Sequence, residues 1–307
     1  MSASTPIVQA LATELEKLRT PVLLRYDLAR LSWALYRAGT HGGQPLNIRR
    51  NSLDMRAFRR LENAVLKSGL LKQLPGLPDL SVYATFGANL SDHQAVLCSV
   101  DPFCYISHLS AMEFHGLTDR MPEQIYATSP AGKQWTVSAA ERMQKDLGDD
   151  FAAYRESGLP PLQRLSFNKL GQRWVHRYSS LHGGAYRTIR DSPVRVATLG
   201  RTFLDMLHEP SLCGGIMHVL QVFQEHAPTH KRLIFDELDQ HGVPIDKVRA
   251  GYILETLCRL QDPRIDAWVQ FAARGGSRKL DPAAEYAPRF SERWCLSINV
   301  AITEEGA

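Results

Sequence analysis

The chain has 307 residues, of which 44% are hydrophobic and 22% charged, a composition typical of globular proteins and unlike that of disordered or collagen-like chains. It contains no run of about 18 apolar residues, so no transmembrane helix is expected. The N-terminal residues lack the pattern of a secretory signal. Five cysteines without a Cys-x-x-Cys pair favour reduced thiols and a cytoplasmic location over a disulfide framework.

The positive charge is concentrated in the first third of the chain. The net charge is +4, and residues 1–100 contain 12 Lys and Arg against 7 Asp and Glu. Residues 101–307 contain 24 against 25 and are therefore close to neutral. This asymmetry indicates an anionic partner for the N-terminal segment.

Helical and alternating apolar patterns predict three helices followed by a β-hairpin in this segment. The expected helices cover residues 6–18, 26–36 and 53–68, and the expected strands cover residues 70–74 and 81–86. Helices followed by a short hairpin are typical of a winged helix-turn-helix, whose recognition helix enters the major groove of DNA. Winged helices also serve as protein-binding modules, so the pattern alone leaves that alternative open.

The third predicted helix is amphipathic with one basic face. Projection at about 100° per residue puts its cationic side chains within about 100° of one another. This face comprises Arg56, Arg59, Arg60, Asn63 and Lys67, whereas Phe58, Leu61 and Val65 lie opposite. We expect Arg56, Arg59 and Arg60 to carry operator binding, since arginines on a recognition helix read base edges. The predicted DNA-binding set is completed by Asn63 and by Arg49, Arg50, Lys67 and Lys72, mainly through phosphate contacts.

The rest of the chain predicts a mixed α+β unit. Expected strands cover residues 124–128, 174–178, 186–197 and 294–302, and expected helices cover residues 106–116, 231–240 and 244–260 and begin near residues 199 and 216. The change of pattern predicts a winged-helix domain over residues 1–95 and an α+β domain over residues 96–307.

Three segments together resemble the AbiEi family of antitoxins and transcriptional regulators. The first runs from Ser107 to Thr118 and matches the pattern Ser-His-x-Ser-Ala-x-x-x-His-Gly-Leu-Thr. The second runs over residues 196–205 and continues to Gly214-Gly215, and the third covers residues 251–255 with the ending Arg293-Trp294. Gly200 stands where the family carries an acid, so this chain has no residue at that position to perform the role of the acid.

The resemblance implies an antitoxin of a type IV toxin–antitoxin (abortive infection) system, with no catalytic activity and no cofactor. The N-terminal winged helix would bind operator repeats, in pairs, and repress its own operon. The C-terminal domain would counteract a nucleotidyltransferase-like toxin, and we expect neutralisation to survive deletion of residues 1–90. Candidate partner contacts, expected at the surface of the helices after residue 198, are Arg201, His218 and Gln221.

The alternative is a metal-dependent nuclease, or another DNA-acting enzyme, that the N-terminal module targets to DNA. The sequence offers little for it, since no Asp/Glu-x-Lys constellation stands in a strand context. A hydrolase is not expected either, since Ser107 and His108 should point to different sides of a helix and no Gly-x-Ser-x-Gly elbow is present. Cys98, Cys104 and His108 do not have the spacing of a structural zinc site. No metal site is therefore expected.

Overall fold

The structure is a computed structural model, which describes residues 6–18, 20–48, 52–78, 80–181, 184–273 and 278–301. Helices and strands both occur throughout these residues, which confirms the α+β fold class. No described helix is both long and apolar enough to cross a membrane. The helices are α1 (Ile7–Glu16), α2 (Arg25–Ala38), α3 (Met55–Lys67), α4 (His93–Val100), α5 (His108–Phe114), α6 (Gly132–Leu147), α7 (Phe151–Glu156), α8 (Leu199–His208), α9 (Ile216–His241), α10 (Pro244–Tyr252) and α11 (Pro263–Trp268). The strands are β1 (Val22–Leu24), β2 (Thr40–His41), β3 (Gln44–Pro45), β4 (Leu71–Gln73), β5 (Val82–Thr85), β6 (Tyr105–Ile106), β7 (Gln124–Pro130), β8 (Lys169–Leu170), β9 (Arg173–Ser180), β10 (Tyr186–Thr188), β11 (Arg195–Ala197), β12 (Phe290–Ser291) and β13 (Leu296–Ser297).

The chain divides into two compact units that differ from the two domains expected from the sequence. The first unit comprises Met1–Tyr105, Thr128–Gly183 and Thr188–Arg195, and the second comprises Ile106–Ala127, Gly184–Arg187 and Val196–Ala307. The expected boundary between residues 95 and 96 falls inside α4. Each unit is therefore built from segments that are distant in sequence.

The N-terminal part of the first unit contains helices α1 to α3 and an antiparallel sheet. The strand order is β1–β5–β4, with Leu23 opposite Tyr83 and Lys72 opposite Ala84. The three predicted helices and the two predicted strands are present, each within a few residues of its expected ends. The connection from α2 to α3 carries the short β2–β3 hairpin, which the sequence pattern did not predict.

Local sequence explains where α2 and α3 begin and end. Gly39 follows α2 in the left-handed conformation (φ +64°), which glycine adopts without a steric penalty. Asp54 caps the start of α3, where its carboxylate accepts a hydrogen bond of 2.7 Å from the backbone N–H of Ala57. The apolar face of α3 is buried, as predicted.

The remainder of the first unit packs against α2. Tyr154 of α7 makes edge-on contacts with Tyr26 and Trp33, with ring centroids 6.1 and 5.6 Å apart. The Tyr26 hydroxyl donates to Asp146 and the Trp33 indole N–H donates to Asp150, at 3.1 and 3.2 Å. Helix α2 therefore belongs to a core that includes residues more than a hundred positions away.

In the second unit, helices α8 to α11 form an apolar core. Phe203 of α8 meets Phe223 of α9 edge-on at 4.9 Å, and Phe235 of α9 meets Trp268 of α11 at 5.3 Å. Strand β6 pairs in parallel with β11 through Ile106 and Val196. Helix α5 begins only at His108, two residues later than the sequence pattern predicts, because residues 105–106 form β6.

Two predicted elements of the second unit are wrong. Helix α9 is a single helix that contains Pro228, not one helix near residue 216 and another over residues 231–240. Its buried residues lie on both sides of Pro228, so tertiary packing outweighs the loss of one backbone hydrogen bond. The predicted strand over residues 294–302 is reduced to β13, since Trp294 lies in a turn with its ring buried; residue 302 lies outside the described residues.

Helix α10 packs so closely on Trp294 that only glycine fits at position 251. A Cβ atom added to Gly251 would overlap the indole ring of Trp294. We expect Gly251→Ala to destabilise the chain by about 3 kcal/mol, since overpacking outweighs the gain of about 1 kcal/mol in helix propensity. Urea denaturation measures this, with Gly132→Ala as the control because no atom lies closer than 3.8 Å to its added Cβ. Equal midpoints for the two variants would contradict the packing argument.

Candidate nucleic-acid interface

The predicted basic side chains of α3 lie together on its solvent side. Arg56, Arg59, Arg60, Asn63 and Lys67 are all exposed, and Lys72 is exposed on the neighbouring strand β4. Arg49 and Arg50 lie outside the described residues. Within the part of the chain that the structure describes, none of the first three arginines forms an ion pair. Their guanidinium groups are therefore available to an external anion.

The single acid of α3 does not offset this charge at the surface. Glu62 is 2% exposed and points to the inside of the first unit. Its carboxylate accepts two hydrogen bonds of 2.8 Å from the Arg25 guanidinium, and it accepts another from the Tyr83 hydroxyl. The exposed charges of α3 are consequently all positive.

Glu62 also fixes α3 to the elements beside it. Arg25 begins α2 and Tyr83 lies in β5, so one carboxylate joins the helix to another helix and to the sheet. The hydrogen bonds to Glu62 raise the pKa of Arg25 against the opposing effect of burial. Burial, together with the carboxylate, raises the pKa of Tyr83, which keeps that hydroxyl protonated as a donor. The sequence pattern did not identify Glu62 as a functional residue. The only indication in the sequence is that Glu62 lies between the basic and the apolar face of the helix.

We expect Glu62→Gln to destabilise the first unit by about 2–3 kcal/mol. The amide keeps the shape of the side chain but removes the charge that pairs with Arg25, whose side chain is one-quarter exposed, so water recovers part of the loss. Thermal denaturation measures the effect. The control is Glu141→Gln, because the Glu141 side chain is exposed on α6. Operator affinity should fall as well, because α3 loses its attachment. An unchanged melting temperature would show that the carboxylate does not hold α3.

A cleft of about 610 Å³ lies beside the basic face. Arg56 and Arg60 form part of its wall, together with Tyr36, Asp54 and Leu61. Burial raises the pKa of Tyr36, so its hydroxyl is a neutral donor beside the two arginines. This side of α3 therefore presents cationic groups and a phenol together, which suits contacts with phosphates and bases.

Two of the three predicted partner contacts are not at the surface. Arg201 is 5% exposed and its Nε donates to Asp205 at 2.8 Å, while His218 is 6% exposed. The His218 ring bonds the carbonyl oxygen of Cys213 at 2.8 Å and the hydroxyl of Thr118 at 2.9 Å. The expectation of surface positions is wrong for both, because α8 and the start of α9 are packed inside the second unit. Gln221 is exposed, as expected.

Gln221 and residues 116–120 line one cleft of the second unit. This cleft, about 370 Å³, is bordered by residues 116–120 and by His218, Gln221 and Glu225. Gln221 donates to Glu225 at 2.9 Å, and Arg120 donates to the carbonyl oxygen of Gly214 at 3.2 Å. Residues 116–120 thus contact both the Gly214-Gly215 turn and helix α9. The sequence pattern showed these as separate segments and did not predict that they meet.

Gly200 marks a close approach between α8 and α9. A Cβ atom at this position would overlap the carbonyl oxygen of Leu233 and would lie 3.0 Å from the Cβ of Glu237. A residue with a side chain therefore has no room at this position. Burial raises the pKa of the neighbouring Glu237.

The residues considered for catalysis and zinc are arranged differently from expectation. Ser107 and His108 do not point apart: Ser107 Oγ and His108 Nδ1 are 2.8 Å apart, and both residues are buried. His108 reaches this position with a positive φ of 50°, which helical periodicity does not anticipate. His115 bonds the carbonyl oxygen of Ala197 at 2.8 Å. Among the described residues, no group of three or more His, Cys, Asp or Glu side chains is placed to hold a metal ion.

No family model matches this chain, and no curated protein matches it. Among solved structures, the chain is similar to the crystal structure of the RV2827C protein from Mycobacterium tuberculosis, with 14% sequence identity and a TM-score of 0.48. The match covers 96% of this chain and 92% of that chain. At this distance the likeness assigns no function.

Proposed function

We propose that this chain is a DNA-binding antitoxin of a type IV toxin–antitoxin system that represses its own operon and has no catalytic activity. The observation that carries the DNA-binding part is the exposed face of α3, on which Arg56, Arg59 and Arg60 stand without ion pairs to described residues. Such cations release counterions from the DNA backbone and form bidentate hydrogen bonds with guanine.

The arrangement around α3 supports a winged helix-turn-helix. Three helices and the sheet β1–β5–β4 follow the order of that module, with α3 as recognition helix and the β4–β5 hairpin as wing. Residues 39–54 between α2 and α3 depart from the usual turn of three or four residues, since they contain the β2–β3 hairpin. In this proposal the extra hairpin lengthens the turn without changing the face that α3 presents.

The antitoxin part rests on the resemblance and on the second unit. In the proposal, residues 116–120 and Gln221 border the surface that counteracts a nucleotidyltransferase-like toxin. Arg201 and His218 act there as supports for the cleft, since both are buried and hydrogen-bonded. The direct test is growth rescue in cells that express the product of the neighbouring gene, with the empty vector as the control. Failure of the full chain to rescue growth would reject the antitoxin assignment.

DNA binding is tested with labelled promoter DNA from the chain's own operon in the presence of Mg²⁺. We expect saturable binding that is about 10³-fold or more tighter than binding to unrelated DNA of equal length, and that weakens as salt is raised. The DNA should remain intact. Cleavage of the DNA would favour the alternative of a metal-dependent nuclease, and equal affinity for unrelated DNA would reject operator recognition.

A further inference from the structure

Two cysteines of the first unit are next to each other in space. Cys98 lies in the last turn of α4 and Cys104 precedes β6, six residues later. Both are buried. The Cys104 thiol donates to the carbonyl oxygen of Leu97, the residue before Cys98, at 3.8 Å, and the Cys98 thiol donates to the carbonyl oxygen of Arg195 at 3.9 Å. Neither is bound in a disulfide. The Cys104 sulfur therefore lies against the backbone that leads into Cys98, so a sulfur–sulfur bond between the two requires only local movement.

Arg195 holds the loop between these cysteines in a fixed shape. Its guanidinium donates to the carbonyl oxygens of Cys98, Asp101 and Cys104, at 2.7, 2.8 and 2.7 Å. The Asp101 carboxylate is anchored separately, because it accepts hydrogen bonds from the Ser129 hydroxyl and the indole N–H of a tryptophan at 2.8 and 3.0 Å. These contacts fix the backbone at both ends and in the middle of the loop, and thereby the positions of the two cysteines.

The surroundings make the two thiols chemically different. The backbone N–H of Arg195 points at Cys98 Sγ, 3.5 Å away. The neighbouring Cys104 thiol and the charge of Arg195 lower the pKa of Cys98, against opposing effects of burial and of Asp101. The Cys98 thiol and burial raise the pKa of Cys104. Together with the N–H that points at its sulfur, these directions favour Cys98 as the thiol that reacts.

Cys98 also lines a cleft that can admit a small molecule. This cleft, about 220 Å³, is lined as well by Asp27, Arg142 and Arg195, and Asp27 pairs with Arg142 at 3.4 Å. The volume exceeds several-fold the ~30 Å³ that one water occupies in the liquid, so a hydroperoxide of similar size fits. The positive charge of Arg195 favours a thiolate at Cys98 and the developing charge of a leaving hydroxide.

We propose that Cys98 and Cys104 form a redox site that reduces hydrogen peroxide and closes to a disulfide, with Cys98 as the attacking thiol and Cys104 as the resolving thiol. The Cys98 thiolate attacks one peroxide oxygen, the O–O bond breaks, and the departing hydroxide takes up a proton to become water. Cys98 is thereby oxidised to a sulfenic acid. The Cys104 sulfur then attacks Cys98 Sγ, the S–O bond breaks, and the hydroxide leaves as water with the Cys104 proton. An external dithiol restores the reduced pair.

The test uses the intact chain and hydrogen peroxide. After exposure to an excess of peroxide, free thiols are alkylated in denaturant and counted by mass spectrometry. We expect three alkylated cysteines instead of five, and digestion with chymotrypsin, which cleaves between the two at Phe103, should yield linked peptides containing Cys98 and Cys104. A dithiol treatment before alkylation should restore five. Retention of five free thiols, or a disulfide between other cysteines, would overturn the proposal.

Two variants assign the roles of the two sulfurs. Cys104→Ser should leave a sulfenic acid on Cys98 that dimedone labels, whereas Cys98→Ser should abolish labelling and peroxide-dependent thiol loss. Cys213→Ser is the matched control, because that thiol is also buried and its pKa is raised, and its response should equal that of the parent chain. Dimedone labelling of Cys104 in place of Cys98 would contradict the assignment. The thiol count on the parent chain decides the proposal even where a variant fails to fold.

Discussion

A chain carrying Arg56→Ala, Arg59→Ala and Arg60→Ala should bind its own promoter at least about 10²-fold more weakly than the parent chain. Each arginine that reads a base contributes about 1–3 kcal/mol, so the loss of all three contacts, at least about 3 kcal/mol, reaches this size. The three side chains are exposed and make no ion pair with described residues, so their truncation breaks no described ion pair of the fold. Fluorescence anisotropy at one fixed salt concentration measures the change.

Matched controls separate this site from general charge. Arg190 and Arg232 have side chains that are 97% and 88% exposed and lie outside α3, so Arg190→Ala with Arg232→Ala should leave affinity within about twofold. Lys67→Ala should lower the slope of affinity against salt by about one unit, as loss of one phosphate contact does. A triple variant that binds as tightly as the parent would place the interface elsewhere.

The faces of α3 were predictable because they depend on local periodicity alone. Helical geometry places residues three and four apart on one side, so the sequence sufficed to separate Arg56 and Arg60 from Phe58 and Val65. The end of the helix followed from Gly69, a residue type that favours C-caps. The sequence predicts that the helix starts near residue 53, after Asn51-Ser52, whereas the capping residue is Asp54 and the helix begins at Met55. Whether the exposed face meets DNA is a different question, which depends on a partner that periodicity does not describe.

Contacts between distant segments were not predictable from local pattern. Helices α6 and α7 did not figure in the sequence-based expectation, although Tyr154 completes the core around α2. Arg201 was expected at the surface because it is charged; its burial depends on Asp205, one turn later, which accepts its hydrogen bond. A single sequence shows that such residues are present but not which surfaces they share. The same reason explains why the two compact units differ from the expected domains.

We expect a fragment comprising residues 91–307 to lose the cooperative unfolding of the first unit. It lacks α1, α2, α3 and the sheet β1–β5–β4, so Tyr154 loses both aromatic partners. Exposure of one buried aromatic side chain of about 200 Å² costs roughly 5 kcal/mol at about 25 cal/mol/Å², which is comparable to the whole stability of a small domain. Circular dichroism during thermal unfolding measures the loss. A fragment with a single sharp transition at the parent's temperature would contradict this expectation and restore the boundary near residue 95.

The fragment and the triple arginine variant together separate folding from DNA binding in toxin neutralisation. The variant retains every described contact of α2 with α6 and α7, including that between Arg142 and Asp27 at 3.4 Å, but lacks the basic face. We therefore expect the variant to rescue growth against the toxin, because its fold is intact and the proposed toxin surface does not include the basic face. The fragment should fail, contrary to the sequence-based expectation that neutralisation survives deletion of residues 1–90, because the unfolded remainder of its first unit exposes apolar surface and makes the chain prone to aggregate. The measurement is colony count under induced toxin, with protein levels matched by immunoblot. Rescue by a fragment that unfolds cooperatively would show that residues 1–90 are separable after all, while failure of the folded triple variant would tie neutralisation to DNA binding itself.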